Sequence, residues 1–132
     1  MIRKIDHIGI AVSDLDAQVG FYRDVLGIEF HGFEELPDRG LKVAVFLIGN
    51  VRIELLQSTS PDSAIAKYIE KKGEGIHHIA FCTDNAQGEL DRLRQAGVQL
   101  IDETPKPGAD GMQVAFLHPK STFKVLMELC QK

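Results

Sequence analysis

The chain repeats itself at an offset of about 70 residues. The segments DHIGIAVSDLDAQVGFYRDVLG at 6–27 and HHIAFCTDNAQGELDRLRQAG at 77–97 each contain a histidine, a short apolar strand, a capped helical pattern and a final glycine. The later stretches FLIGNVRIELL at 46–56 and FLHPKSTFKVLMEL at 116–129 also correspond. Each predicts a strand, a tight turn and another strand that ends in a glutamate between apolar residues. This repeat predicts an α+β fold made of two β-α-β-β-β modules.

The segment between the two copies, QSTSPDSAIAKYIEKKGEG, has Ser, Pro and Asp before a helical pattern and glycines after it. It predicts a linker helix at 58–75, between module one at 1–57 and module two at 76–132. A length of 132 residues suits a single domain that contains both modules.

Each module helix has two candidate N-caps, because Asp, Asn and Ser side chains accept hydrogen bonds from the first free N–H groups of a helix. They are Ser13 or Asp14 in the first module and Asp84 or Asn85 in the second. The sequence leaves the choice open in both places.

Charge and hydropathy exclude several classes of partner. The net charge is -4, and no run of Lys and Arg exceeds two residues, as at Lys71–Lys72, which argues against a surface that follows nucleic-acid phosphates. No apolar run approaches the roughly 20 residues that span a bilayer, and charged residues interrupt the first apolar stretch where a signal peptide would need its core. We therefore expect a cytoplasmic protein with neither nucleic acid nor membrane as partner.

Strand periodicity places one histidine of each module on a face of small residues, because alternate side chains of a strand face opposite sides. His7 shares its face with a glycine and an alanine, and His78 shares its face with an alanine and a cysteine. The adjacent His77 points to the opposite, packed side, where we expect it to pack or cap.

The same periodicity places one glutamate of each module on that face. Glu54 and Glu128 each lie opposite a row of apolar side chains in the closing strand of their module. Buried carboxylates are costly unless they are compensated, and two imidazoles with two carboxylates are a suitable ligand set for a divalent transition metal. The predicted metal ligands are His7, Glu54, His78 and Glu128, with no other cofactor.

The motifs DHIGIAV, FYRDVLGIEF, RIELL, GIHHIAF and VLMEL resemble those of the vicinal oxygen chelate superfamily, also called glyoxalase-like, over nearly the whole chain. The resemblance implies a cupped, mostly antiparallel sheet around a metal. Within the superfamily, GNVRIELLQSTSPDSAIAKYIEKKGEGIHHIAF and PKPGADGMQVAFLHPKS are most similar to methylmalonyl-CoA epimerases. This similarity implies the same four metal ligands that periodicity selects, an ion such as Co, Mn, Ni or Zn, and a homodimer.

The implied activity is that of an isomerase. It interconverts (R)- and (S)-methylmalonyl-CoA, a CoA thioester, by proton abstraction through a metal-stabilised enolate. The catalytic candidates are Glu128 as the first base and Glu54 as the second. Some epimerases carry a further base on the third strand, where this chain has Val43. Other candidates for proton delivery are loop acids such as Glu34, Glu35 or Asp38 at 34–41, and water at the metal.

Other functions of the same superfamily stay open. Phe123 and Lys124 replace a glycine pair that is usual in the epimerases, and they are similar to the closing strand of lactoylglutathione lyase, which is the alternative enzyme. A less favoured alternative is a non-catalytic antibiotic-binding protein. Such proteins often lack the metal ligands, whereas this chain keeps all four. Lys106 and Lys120 are either solvated lysines or contacts to the phosphates of CoA.

Overall fold

The computed structural model describes all 132 residues and divides them into two compact units, one of residues 7–77 and one of residues 1–6 and 78–132. The strands are β1 (Ile2–Ala11), β2 (Glu29–Leu36), β3 (Leu41–Ile48), β4 (Val51–Ser58), β5 (Gly75–Thr83), β6 (Lys106–Pro107), β7 (Gln113–Leu117) and β8 (Met127–Gln131). The helices are α1 (Leu15–Gly20), which continues as a π-helical turn (Phe21–Val25), α2 (Ala64–Lys72) and α3 (Ala86–Gln95). The predicted α+β class and repeated β-α-β-β-β order are confirmed. None of the helices is long and apolar enough to cross a membrane.

The unit of residues 7–77 contains strands in the order β2-β3-β4-β1. β1 is parallel to β4, and the other neighbours are antiparallel. Helix α1 places Leu15 and Val19 in a buried cluster with Ala44, Phe46 and Leu55. Burial of each large apolar side chain contributes roughly 1.5–3 kcal/mol, so this cluster fixes α1 against one face of the strands.

The opposite face of β4 is covered in part by the linker helix α2. Ile65 of α2 is 1% exposed and belongs to a cluster with Ala11, Val43 and Leu56. Leu55 and Leu56 are adjacent in β4 and therefore point to opposite faces, one toward α1 and the other toward α2. Glu54 has the parity of Leu56, so it lies on the face that α2 partly covers.

The second unit repeats this arrangement with strands in the order β5-β8-β7-β6. β5 is parallel to β8, and β7 is antiparallel to both β8 and β6. Leu90 of α3 lies in a buried cluster with Ala115, Leu117 and Leu129. The parallel pair in each unit therefore joins the first and last strands of its module.

The two hairpins before the closing strands differ in length. β3 and β4 are joined by the tight turn that was predicted, at Gly49, where φ is 56°. The tight turn predicted for the second module is wrong, because residues 118–126 separate β7 from β8. Phe123 and Lys124 have φ values of 56° and 74°, and this left-handed conformation is incompatible with the extended strand that the apolar pattern suggested.

The structure decides between the candidate N-caps. The Ala17 N–H donates to Asp14 Oδ1 at 3.1 Å, and the Gly88 N–H donates to Asn85 Oδ1 at 2.9 Å. Asp14 therefore caps α1 and Asn85 caps α3. Ser13 precedes the capping residue, and its side chain caps nothing.

His77 packs against the linker helix, which agrees with the packing role predicted for it. Its ring meets that of Tyr68 edge-on with centroids 4.9 Å apart. Burial, with a smaller contribution from the charge of Arg39, lowers the pKa of His77 from 6.5 to about 4. The imidazole is therefore neutral in the folded protein at neutral pH.

The Asp14→Ala substitution should lower the free energy of unfolding by about 1 kcal/mol, the usual contribution of an N-cap. Urea denaturation at pH 7 measures this change. Ser13→Ala is the matched control and should change the free energy of unfolding by much less. Equal losses in the two variants would contradict the assignment of the cap to Asp14.

His77 should also make the fold sensitive to acid. Between pH 6.5 and pH 4 the unfolded chain protonates this imidazole and the folded chain does not, so stability falls as the pH falls through this window. His77→Gln removes the titrating group and should lose less stability than the wild type between pH 7 and pH 5, measured by urea denaturation. A loss in His77→Gln that runs parallel to the loss in the wild type would contradict the prediction.

Candidate functional site

The first candidate pair, His7 and Glu54, lies on the parallel strands β1 and β4. The register places Arg52 opposite His7 and Glu54 opposite Gly9, so these side chains share a face. His7 Nε2 lies 3.6 Å from Glu54 Oε1, and both residues are 3% exposed. The glycine opposite Glu54 has no side chain, which leaves the carboxylate room beside the imidazole.

The second pair, His78 and Glu128, lies on the parallel strands β5 and β8. Glu128 is in register with Ala80, two residues beyond His78. His78 Nε2 lies 3.4 Å from Glu128 Oε2, and the two side chains are 4% and 3% exposed. The ring of Phe116 meets the His78 ring edge-on with centroids 5.4 Å apart, which fixes the orientation of the imidazole.

Each pair is chemically suited to hold a divalent transition metal. An imidazole nitrogen and a carboxylate oxygen that each lie about 2.0–2.2 Å from one ion are separated by roughly 3 Å, so the observed separations need only small side-chain adjustments. Glu54 Oε2 is buried and accepts no hydrogen bond. A buried carboxylate of this kind is costly without compensating positive charge. Arg52 supplies part of this charge, and a metal ion would supply more. The donor atoms present therefore fit the metal that the repeat predicts.

Arg52 is a site residue that sequence reasoning missed. Its Nη2 lies 3.2 Å from Glu54 Oε2, and its side chain is 13% exposed. The distance permits strong charge attraction, although the atoms do not adopt hydrogen-bond geometry. Arg52 precedes Glu54 by two residues in β4, so strand periodicity alone could have placed it on the same face.

The remaining positions considered for proton transfer lie on β2, on β3 and in the turn between them. Val43 is 0% exposed and belongs to the apolar cluster with Leu56, so it supplies no acid. The prediction that Glu34 and Glu35 lie in a loop is wrong, because both belong to β2. Asp38 lies in the 3-10 turn Pro37–Arg39, as expected for a loop acid.

The residues that set this chain apart in the second module are placed differently. Phe123 is 92% exposed and does not contribute to the core. Lys106 Nζ lies 3.3 Å from Asp102 Oδ1 and 5.5 Å from the centre of the Phe116 ring. Lys120 is exposed and forms no ion pair, whereas its backbone N–H donates to His118 Nδ1 at 3.0 Å.

Comparison with known proteins places this geometry in a family. The model of the "Glyoxalase/Bleomycin resistance protein/Dioxygenase superfamily" matches residues 6–116. The ethylmalonyl-CoA/methylmalonyl-CoA epimerase of Cereibacter sphaeroides is 40% identical over 133 aligned positions, which cover 99% of each chain.

Solved structures agree with this result. A hypothetical protein from Bacillus halodurans C-125 superimposes with a TM-score of 0.96 at 47% identity, covering 98% of this chain and 94% of the other. A variant of the Streptomyces coelicolor methylmalonyl-CoA epimerase, in complex with 2-nitronate-propionyl-CoA, has a TM-score of 0.96 at 39% identity and covers 100% and 96% of the two chains. The chain therefore belongs to the glyoxalase/bleomycin resistance protein/dioxygenase superfamily and, within it, to the methylmalonyl-CoA epimerase family.

Proposed function

We propose that the protein is a metal-dependent epimerase that interconverts (R)- and (S)-methylmalonyl-CoA. The observation that carries this proposal is the pair of buried histidine and glutamate side chains in each module, within a chain related over its full length to named epimerases. The reaction moves one proton at the carbon between a thioester and a carboxylate. It needs a group that stabilises negative charge on the thioester oxygen and a base that reaches the C–H bond.

The proposed metal ligands are His7, Glu54, His78 and Glu128. The two nitrogen and two oxygen donors favour Co, Mn, Ni or Zn over Mg or Ca, and cobalt is the first ion to test. The ion, when bound, acts as a Lewis acid that polarises the thioester carbonyl. The support within the chain is that each carboxylate already lies within 3.6 Å of an imidazole nitrogen, at 3.6 Å for Glu54 and 3.4 Å for Glu128.

Glu128 is the proposed base that removes the proton from the substrate. It is 2% exposed, so water is largely excluded around its carboxylate. Glu54 is the second candidate for proton transfer. Its carboxylate oxygens lie 3.6 Å from His7 Nε2 and 3.2 Å from Arg52 Nη2.

The substrate, assembly and location complete the proposal. A CoA thioester is the proposed ligand, with the exposed Lys120 as a phosphate contact; the attraction of Lys106 to Asp102 makes it the weaker candidate. We further propose that the protein works as a homodimer in the cytoplasm. Sedimentation of the purified protein measures the oligomeric state, and the mass of the sedimenting particle should be that of two chains.

Lactoylglutathione lyase is the second candidate function, favoured by Phe123 and Lys124 in place of a glycine pair. The two activities separate in a paired assay. The first arm follows deuterium exchange at C2 of methylmalonyl-CoA, and the second follows loss of the methylglyoxal–glutathione adduct, both with metal-loaded protein. Exchange in the first arm alone is the expected result. Turnover in the second arm alone would replace the proposed function by the lyase activity.

The His78→Ala variant should lose metal and activity together, because it removes a ligand. After loading with cobalt and removal of free ion, elemental analysis should find about one ion per wild-type chain and much less in the variant. Exchange at C2 should fall by at least about 100-fold, the usual scale for loss of electrostatic stabilisation of a transition state.

His77→Ala is the matched control, since it alters the adjacent imidazole on the opposite face of the same strand. It should keep the metal and the exchange rate while lowering the thermal stability. Metal retained in His78→Ala, or lost equally in both variants, would contradict the proposed ligand set.

A further inference from the structure

Inversion at C2 needs proton delivery from the side opposite to the one that loses the proton. If Glu128 removes the proton from one side of C2, as the proposed function requires, a second acid must deliver a proton to the other side. The position on β3 that carries an acid in some epimerases is Val43 in this chain, and it is fully buried among apolar residues. The strands of the unit 7–77 offer other positions on the Glu54 face for such an acid.

Glu34 on β2 occupies such a position. In the antiparallel ladder Glu34 is directly opposite Val43, and Val45 is directly opposite Glu54. Directly opposed residues in antiparallel strands project to the same side, and Val43 and Val45 share a face of β3. Glu34 and Glu54 therefore lie on one face of the β2-β3-β4 sheet, with the valines of β3 between them.

A β-bulge is responsible for this orientation. Phe30 is opposite Phe46, but Gly32 is opposite Val45, so His31 is an extra residue in β2. If the register of Phe30 continued without the bulge, Glu34 would be opposite Lys42, on the face that packs against α1. The extra residue turns every later side chain of β2 to the other face.

The neighbouring position on the Glu34 face of β2 is a glycine with open space above it. A Cβ added at Gly32, two residues before Glu34 on the same face, would meet no atom within 4 Å. Strands are separated by about 4.8 Å and rise about 3.3 Å per residue, which places the Cα atoms of Glu34 and Glu54 roughly 12 Å apart. At this separation, two carboxylates that project side by side from one face leave room for a small acyl group between them.

From this geometry we propose that Glu34 is the catalytic acid and base on the second side of the substrate. In one direction the C2–H bond breaks as its proton moves to the Glu128 carboxylate, and the electron pair delocalises into the thioester carbonyl. The O–H bond of protonated Glu34 then breaks, and a new C2–H bond forms on the opposite side. Glu34 ends as a carboxylate and Glu128 as an acid, so the reverse reaction begins from these states with the roles exchanged.

The Glu34→Gln variant separates proton exchange from inversion. Metal-loaded protein in D₂O is given each pure epimer of methylmalonyl-CoA, and deuterium at C2 and optical activity are followed together. The epimer whose C2–H faces Glu128 should still exchange with retained configuration. The other epimer should lose exchange, and interconversion should fall by at least about 100-fold, as expected for loss of a general acid or base.

Glu35→Gln is the matched control, because Glu35 is opposite Lys42 and lies on the other face of β2. It should exchange and invert both epimers at the wild-type rate. Both variants should bind as much cobalt as the wild type and unfold at the same temperature, which separates a proton-transfer role from a structural one.

Two results would overturn the assignment of Glu34: inversion by Glu34→Gln at the wild-type rate, or equal loss of exchange on both epimers. Failure of the wild type to exchange either epimer has a different meaning. It would remove the proposed function, and with it this assignment.

Discussion

A buried carboxylate beside a buried imidazole is the arrangement to which the rest of the structure is fitted. Transfer of an ionised carboxylate from water to a protein interior costs several kcal/mol even after relaxation, and a neighbouring histidine alone offsets little of this while it is neutral. The chain nevertheless contains two such carboxylates, Glu54 and Glu128, each 3% exposed or less. The parallel pairing of the first and last strands in each module makes this possible, because it sets each glutamate close to its histidine. Arg52 reduces the imbalance at Glu54, and a bound cation would compensate it further.

Strand periodicity was sufficient to find both histidine and glutamate pairs, because β1, β4, β5 and β8 are regular around these residues. Its failures have local physical causes. The bulge in β2 adds a residue without an unusual composition, so the face of Glu34 could not be inferred from alternation, and the segment was assigned to a loop. The length of the second hairpin was also misjudged, since Phe123 continues an apolar pattern while its backbone has φ of 56°. The periodicity that places Glu54 on this face also places Arg52 there, two residues earlier in β4, but a guanidinium is not a metal ligand and a search for ligands passes over it.

The departures of this chain from the epimerase pattern act on different parts of the fold. Some epimerases carry an acid where this chain has Val43. The valine side chain packs with Leu56 and Ile65 and so strengthens the contact between β3 and α2. Phe123 and Lys124 instead adopt a conformation that costs roughly 1–2 kcal/mol per non-glycine residue. Hydrogen bonds hold that segment in place, including the one from the Lys124 N–H to the Pro119 carbonyl at 2.9 Å. The first change is thus accommodated by packing and the second by backbone hydrogen bonds, and neither disturbs the two histidine and glutamate pairs.

The position of an acid on a sheet depends on register as much as on residue type. Residue 34 on β2 and residue 43 on β3 are cross-strand neighbours, with Cβ atoms about 5 Å apart. A glutamate at either position can therefore direct its carboxylate toward the same region of the face. A substitution that removes a glutamate at residue 43 can be offset by one at residue 34, provided that the bulge keeps β2 in its shifted register. If Glu34 transfers the second proton, as proposed, the epimerase reaction is compatible with a valine at residue 43. The shifted register also makes His31, whose side chain has no part in the proposed chemistry, a determinant of the site through the backbone alone.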